Sequence, residues 1–64
     1  MKRLVLNAER EAYDIGQIRE TMTTRELIRL LEEYDEDTPI YLSHDNGYTY
    51  GAVLERRFDE VWEE

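Results

Sequence analysis

The chain has no cysteine, and only one histidine and one proline, in 64 residues. Without thiols no disulfide can supplement the core and no thiolate cluster can hold a metal. One imidazole is too few for a structural zinc site of the usual kind. No apolar run approaches the roughly 20 residues of a membrane span. Met1-Lys2-Arg3 followed by Leu4-Val5-Leu6 lacks the long apolar segment of a secretory signal, so the expected location is cytoplasmic. The three glycines, Gly16, Gly47 and Gly51, are scattered and form no phosphate-cradling loop. Positive charge is also scarce. Eight Lys and Arg stand against 16 Asp and Glu, a net charge of −8, which disfavours nucleic acid and anionic lipid as partners.

What remains is one small domain over residues 1–64. A chain of this length buries only about 60% of its unfolded surface, and with disulfides and metals excluded, oligomerisation is the common route to added stability. Its clearest local signal is Asn46-Gly47, set between Ile40-Tyr41-Leu42-Ser43 and Tyr48-Thr49-Tyr50. Asn-Gly favours a two-residue type I′ turn, because both central positions need φ > 0. That turn predicts a register in which Asp45 faces Tyr48, His44 faces Thr49, Ser43 faces Tyr50, Leu42 faces Gly51, Tyr41 faces Ala52 and Ile40 faces Val53. Alternation along the strands then gives one face Ile40, Leu42, His44, Thr49, Gly51 and Val53. The other carries Tyr41, Ser43, Asp45, Tyr48, Tyr50 and Ala52.

Upstream, residues 3–8 read as a first strand, with Leu4, Leu6 and Ala8 on one side. Asp14 with Gln17 three residues on suggests a short helical turn, weakened by Gly16. Thr23 and Glu26 have the spacing of a capping box, and Leu27, Ile28, Leu30, Leu31 and Tyr34 continue as an apolar stripe. Asp35-Glu36-Asp37-Thr38-Pro39 ends that helix, since proline cannot extend it. The third strand extends to about Glu55, and Phe58, Val61 and Trp62 at i, i+3, i+4 suggest a C-terminal helical turn. The expected class is α+β: a small β-α-β-β domain, one main helix on a three-stranded sheet. Strand order is open, with β1 either parallel to the second strand through a right-handed crossover or paired with the third. The sheet face away from the helix needs cover from the Phe58–Trp62 segment, from residues 9–18, from another copy or from a ligand.

Few groupings suggest chemistry. Ser43-His44-Asp45 resembles a triad in print, but neighbouring strand residues point to opposite faces, and a triad is a hydrogen-bonded chain in space. Asp35, Glu36 and Asp37 lack the glycine and ligand spacing of a calcium loop and read as a solvated turn. No carboxylate pair, nucleophile or general base is assembled, so the expectation is a protein that is not an enzyme and takes no cofactor. The phenol rings are different. Tyrosine buries much area at low entropy cost and keeps a hydroxyl, and it stacks on nucleobases. Tyr41, Tyr48 and Tyr50, with Ser43 and Asn46 beside them, are candidate ligand contacts, or else they pack under Trp62 or against another copy. Arg25 and Arg29 at i, i+4 suit surface pairing with Glu32 and Glu33. Arg19, with Gln17 beside it, is the candidate for a phosphate.

The run Gln17-Ile18-Arg19-Glu20-Thr21-Met22-Thr23, then Glu26-Leu27-Ile28, then Asp35 through Gly51 resembles a family of very small proteins encoded by bacterial phages and prophages. The resemblance covers residues 13–60. Accessory phage proteins of this size are often counter-defence factors. Some capture nucleotide immune signals as small oligomers, and others block a host protein. The resemblance therefore implies a homo-oligomeric sponge for a nucleotide-derived signalling molecule in the cytoplasm of an infected bacterium. The alternative is an acidic inhibitor of a host defence protein, imitating nucleic-acid charge. An enzyme that degrades a nucleotide ranks below both.

Overall fold

The computed structural model describes residues 1–44 and 47–62. Three strands, β1 (Leu4–Asn7), β2 (Ile40–His44) and β3 (Thr49–Ala52), form one sheet in the order β1-β2-β3. Helix α1 (Thr24–Leu31) lies between β1 and β2 in the chain. β1 and β2 are parallel, with Leu4 beside Ile40, Val5 beside Tyr41, Leu6 beside Leu42 and Asn7 beside Ser43. This settles the strand order: β1 joins β2, not β3. The Leu4 N–H donates to the Pro39 carbonyl at 3.0 Å and the Ala8 N–H to the Ser43 carbonyl at 2.9 Å, so the ladder outruns the strand at both ends. Proline fits at that boundary because its carbonyl is still free to accept.

β2 and β3 are antiparallel in the register the sequence predicts: Tyr41 with Ala52, Leu42 with Gly51, Ser43 with Tyr50 and His44 with Thr49. The reversal itself differs in detail. The Tyr48 N–H donates to the His44 carbonyl at 3.1 Å, and β3 starts only at Thr49, so Tyr48 belongs to the turn and not to the strand. Gly47 has φ 87°, the left-handed conformation that favours glycine. The expected pairing of Asp45 with Tyr48, and the role of Asn46, lie outside the described residues.

Helix α1 begins where the capping box places it. The Glu26 N–H donates to Thr23 Oγ1 at 3.2 Å, and the Thr23 N–H donates to Glu26 Oε1 at 2.9 Å. Its last turn tightens, with the Glu33 N–H donating to the Leu30 carbonyl and the Tyr34 N–H to that of Leu31. The acidic cluster that follows is a turn: Asp35 accepts from the Asp37 N–H through Oδ1 and from the Thr38 N–H through its carbonyl. Asp14 starts a single 3₁₀ turn at Ile15–Gln17, accepting from the Gly16 N–H.

The C-terminal segment departs from expectation. Its 3₁₀ turn is Glu55–Arg57, and Phe58, Val61 and Trp62 lie beyond it, exposed and outside any helix. Three apolar residues across five positions cannot meet the nucleation cost of a helix by themselves. β3 also stops at Ala52, short of Glu55.

Burial is sparse. Among the described residues no apolar side chain is buried, and Ser43, 3% exposed, is the sole buried residue. The chain exposes 6998 Å², against about 4,400 Å² for a compact protein of its mass. Its radius of gyration is 13.4 Å, against about 10.7 Å for a compact chain of this length. Helix α1 therefore leaves most of its apolar stripe uncovered. Leu31 and Tyr34 are half-buried, whereas Leu27, Ile28 and Leu30 stay exposed. The Lys2 ammonium sits 5.7 Å from the centre of the Tyr34 ring, a cation–π contact that ties the C-terminal end of the helix to the start of β1.

Candidate functional site

The register decides which side chains meet. Val5, Asn7, Tyr41, Ser43, Tyr50 and Ala52 share one face of the sheet, and Leu4, Leu6, Ile40, Leu42, His44, Thr49 and Gly51 share the other. Tyr41 and Tyr50 thus lie on a common face with Ser43, as the turn signal predicts. Ser43 and Tyr50 are direct cross-strand partners. A side-chain carbon at Gly47 would lie 3.7 Å from Tyr50 Oη and 3.9 Å from Ser43 Oγ. Both hydroxyls therefore reach toward Gly47. Ser43 lies on the central strand, between β1 and β3, and is the best-covered of the described residues.

Tyr41 is half-buried on the central strand, and Tyr50 is 64% exposed on the edge strand. Tyr48, in the turn, is 89% exposed. The three phenols thus form a graded surface: one ring held in the sheet, one lying along it and one projecting from its tip. Trp62 covers none of them, being itself 87% exposed. Gln17 closes the first 3₁₀ turn, and Arg19 follows two residues later. Both are exposed and lie outside the three-strand unit that carries the tyrosines. Within one chain the structure brings Tyr41, Ser43 and Tyr50 together, with Tyr48 at their margin. Gln17 and Arg19 belong to the segment between β1 and α1 and not to the sheet. Asn46 lies outside the described residues.

Ser43 and His44 point to opposite sides. His44 Nε2 lies 3.6 Å from where a side-chain carbon at Gly51 would be, on the face away from Tyr50, so the sheet separates serine from imidazole. Among the described residues no three His, Asp or Glu side chains gather in a metal-binding arrangement. Among the described residues the one resolved electrostatic perturbation is structural: the Thr23 backbone N–H, then the Thr23 hydroxyl, hold the Glu26 carboxyl below its ordinary value. No described helix is long and apolar enough to cross a membrane.

A shallow groove runs along the outer flank of α1, bounded by Thr24, Arg25, Ile28, Arg29 and Glu32. It is formed by side chains of a single helix and is separate from the tyrosine face. Sequence reasoning assigned Arg25 and Arg29 to surface pairing and passed over this groove. The signal was present in the spacing, since residues 25, 28, 29 and 32 fall on one helical stripe. No protein-family model matches the chain, and no curated protein or solved structure is significantly similar to it. The fold and its exposed surfaces therefore define the class: a small α+β unit with a three-stranded mixed sheet.

Proposed function

We propose that this chain is a non-catalytic binding protein that works as a homo-oligomer and captures a nucleotide-derived signalling molecule, as a phage accessory factor countering a bacterial defence. The observation that carries the reading is the shared face of Tyr41, Ser43 and Tyr50, with Tyr50 open to solvent. Tyr50 and the projecting Tyr48 supply stacking surfaces for a base, and their phenol hydroxyls supply hydrogen bonds to a ribose or base edge. Phosphate charge needs a cation, and Arg19 provides one.

Calorimetric titration with cyclic ADP-ribose-like molecules and cyclic dinucleotides tests this reading. Binding heat that disappears in Tyr50→Ala supports it, and no heat with any member of the panel overturns it. A second reading is an acidic inhibitor of a host defence protein. It is favoured by the net charge of −8 and by the exposed apolar surface, which suits a protein partner. Its signature is salt-sensitive capture of one host protein, lost on charge reversal at Glu33 or Glu36.

A further inference from the structure

We propose that the outer edge of β3 pairs with the β3 edge of a second copy of this chain, antiparallel about a two-fold axis at Gly51, joining their two three-stranded sheets into one. The inference deepens the homo-oligomer part of the reading above and makes no use of the nucleotide. It starts from the hydrogen-bond phase of the sheet. The Leu4 and Ala8 N–H groups donate to the Pro39 and Ser43 carbonyls. In a parallel ladder with Leu4 beside Ile40, Tyr41 and Ser43 therefore direct their backbone groups toward β1. Ile40, Leu42 and His44 direct theirs toward β3, in keeping with the bond from the Tyr48 N–H to the His44 carbonyl. Leu42 stands opposite Gly51 and His44 opposite Thr49, so these are the hydrogen-bonded pairs. The N–H and C=O groups of Tyr50 and Ala52 consequently point away from the sheet. Among the described elements, β2 is the one that β3 contacts extensively, and Tyr50 and Ala52 are both exposed.

The occupant is a second copy because this edge complements itself. An axis at Gly51 sets Tyr50 opposite the other copy's Ala52, and Ala52 opposite its Tyr50. Each pair exchanges both of its hydrogen bonds, so every outward group of Thr49–Ala52 finds a partner inside the strand. An axis at Tyr50 or at Ala52 would direct half of those groups to residues beyond it. Size matches as well. Each phenol ring lies across from a methyl group, and the two Gly51 residues meet at the axis, where a non-hydrogen-bonded pair brings Cα atoms to about 4.5 Å. Charge selects the same edge. Two copies of a chain with net charge −8 repel each other, and the longest stretch without a charged residue, Asn46 to Leu54, contains β3. β1, the opposite edge, is flanked by Lys2, Arg3, Glu9 and Arg10, and long charged side chains blunt an edge. Thr49–Ala52 has no charge, no proline and an unbroken register, so it lacks those protections. The joined sheet puts both phenol faces on one side, with the two Tyr50 residues as diagonal neighbours about 7–8 Å apart.

Analytical ultracentrifugation and amide hydrogen exchange on the full chain test this, with A52P and A52K as variants and circular dichroism to check that each folds. The parent should run at twice its monomer mass. In the dimer the Tyr50 and Ala52 amides should exchange slowly. Dilution to monomer should expose them, while the Gly51 amide, bonded within the chain, keeps its protection. A52P removes an N–H that the dimer alone uses, at an edge position where proline is tolerated. The loss of two symmetric bonds should raise the dimer dissociation constant about tenfold or more. A52K supplies the missing charge on the edge and should weaken the dimer likewise, which decides the matter if A52P does not fold. A monomeric parent overturns the proposal. So does a dimer whose Tyr50 and Ala52 amides exchange freely, one that protects Val5 and Asn7 in their place, or folded variants that dimerise as tightly as the parent. A dimer built on another surface removes this edge and leaves the homo-oligomer standing, and calorimetry with the nucleotide panel decides ligand capture separately.

Discussion

The two faces of the sheet have opposite relations between composition and cover. The aliphatic face, with Leu4, Leu6, Ile40 and Leu42, has the residues suited to a core, yet Leu6 is 57% exposed and its neighbours are only half-buried. The phenol face, with Tyr41, Ser43 and Tyr50, has the polar handles, yet it contains the one buried residue among those described. Burial here follows local cross-strand cover rather than hydrophobicity. Ser43 and Tyr50 are paired across the hairpin, and Ser43 sits on the central strand of the sheet, whereas Leu6 on the aliphatic face is at an edge strand. Neither face is closed: Tyr50 and Val5 stay exposed on one, Leu6 on the other.

That contrast can be broken most strongly on the aliphatic side. Leu42→Ala removes the central side chain of that face and should lower stability by about 2 kcal/mol, read as a fall in the urea midpoint. Gly47→Val should cost about 1–2 kcal/mol, because a φ of 87° is left-handed and strained for any residue with a side chain. The nearest atoms to a new side-chain carbon stand at ordinary contact distance, so the loss comes from the backbone and not from crowding. Thr23→Ala removes the cap of α1 and should cost about 1 kcal/mol, visible as reduced helical ellipticity. Tyr50→Ala should cost less than about 1 kcal/mol, since most of its ring is already in water, while abolishing the ligand heat. A large stability loss from Tyr50→Ala would invert the contrast and make the phenol face the true core.

Acid titration sharpens the same contrast through the helix. The folded chain holds Glu26 below its ordinary value through the Thr23 backbone and hydroxyl. A group with a depressed folded value stabilises above its unfolded value and stops doing so as pH falls through the folded one. The helix contribution should therefore be intact at neutral pH and fade below about pH 4.3. Denaturation midpoints of the parent chain and Glu26→Gln, followed from pH 6 to 3, should converge at the acid end. Midpoints that stay equally separated would remove Glu26 from the cap.

Much of the architecture was legible because its signals are local. Asn46-Gly47 predicted the hairpin register, since the turn and the period-two alternation constrain each other. Thr23 with Glu26 marked the helix start to the residue, because the box needs those two side chains at that spacing. The parallel pairing of β1 with β2 was one of two options, as strand order depends on contacts that no short window carries. Phe58, Val61 and Trp62 misled because an apolar rhythm without a cap or sufficient length does not specify a helix. For the site, the grouping of Tyr41, Ser43 and Tyr50 could be read from alternation. The burial of Ser43 could not, because it depends on its strand being central, and strand order was open. The place of Tyr48 in the turn was likewise hidden, since it depends on which carbonyl its N–H selects.

The chain has a single indole, that of Trp62, and that ring stands almost wholly in solvent. It is consequently a built-in optical gauge. Unliganded and unassembled, its emission should be red and readily quenched by iodide. Anything that settles over the last dozen residues should shift the band toward the blue and shut out the quencher, without a label having been attached.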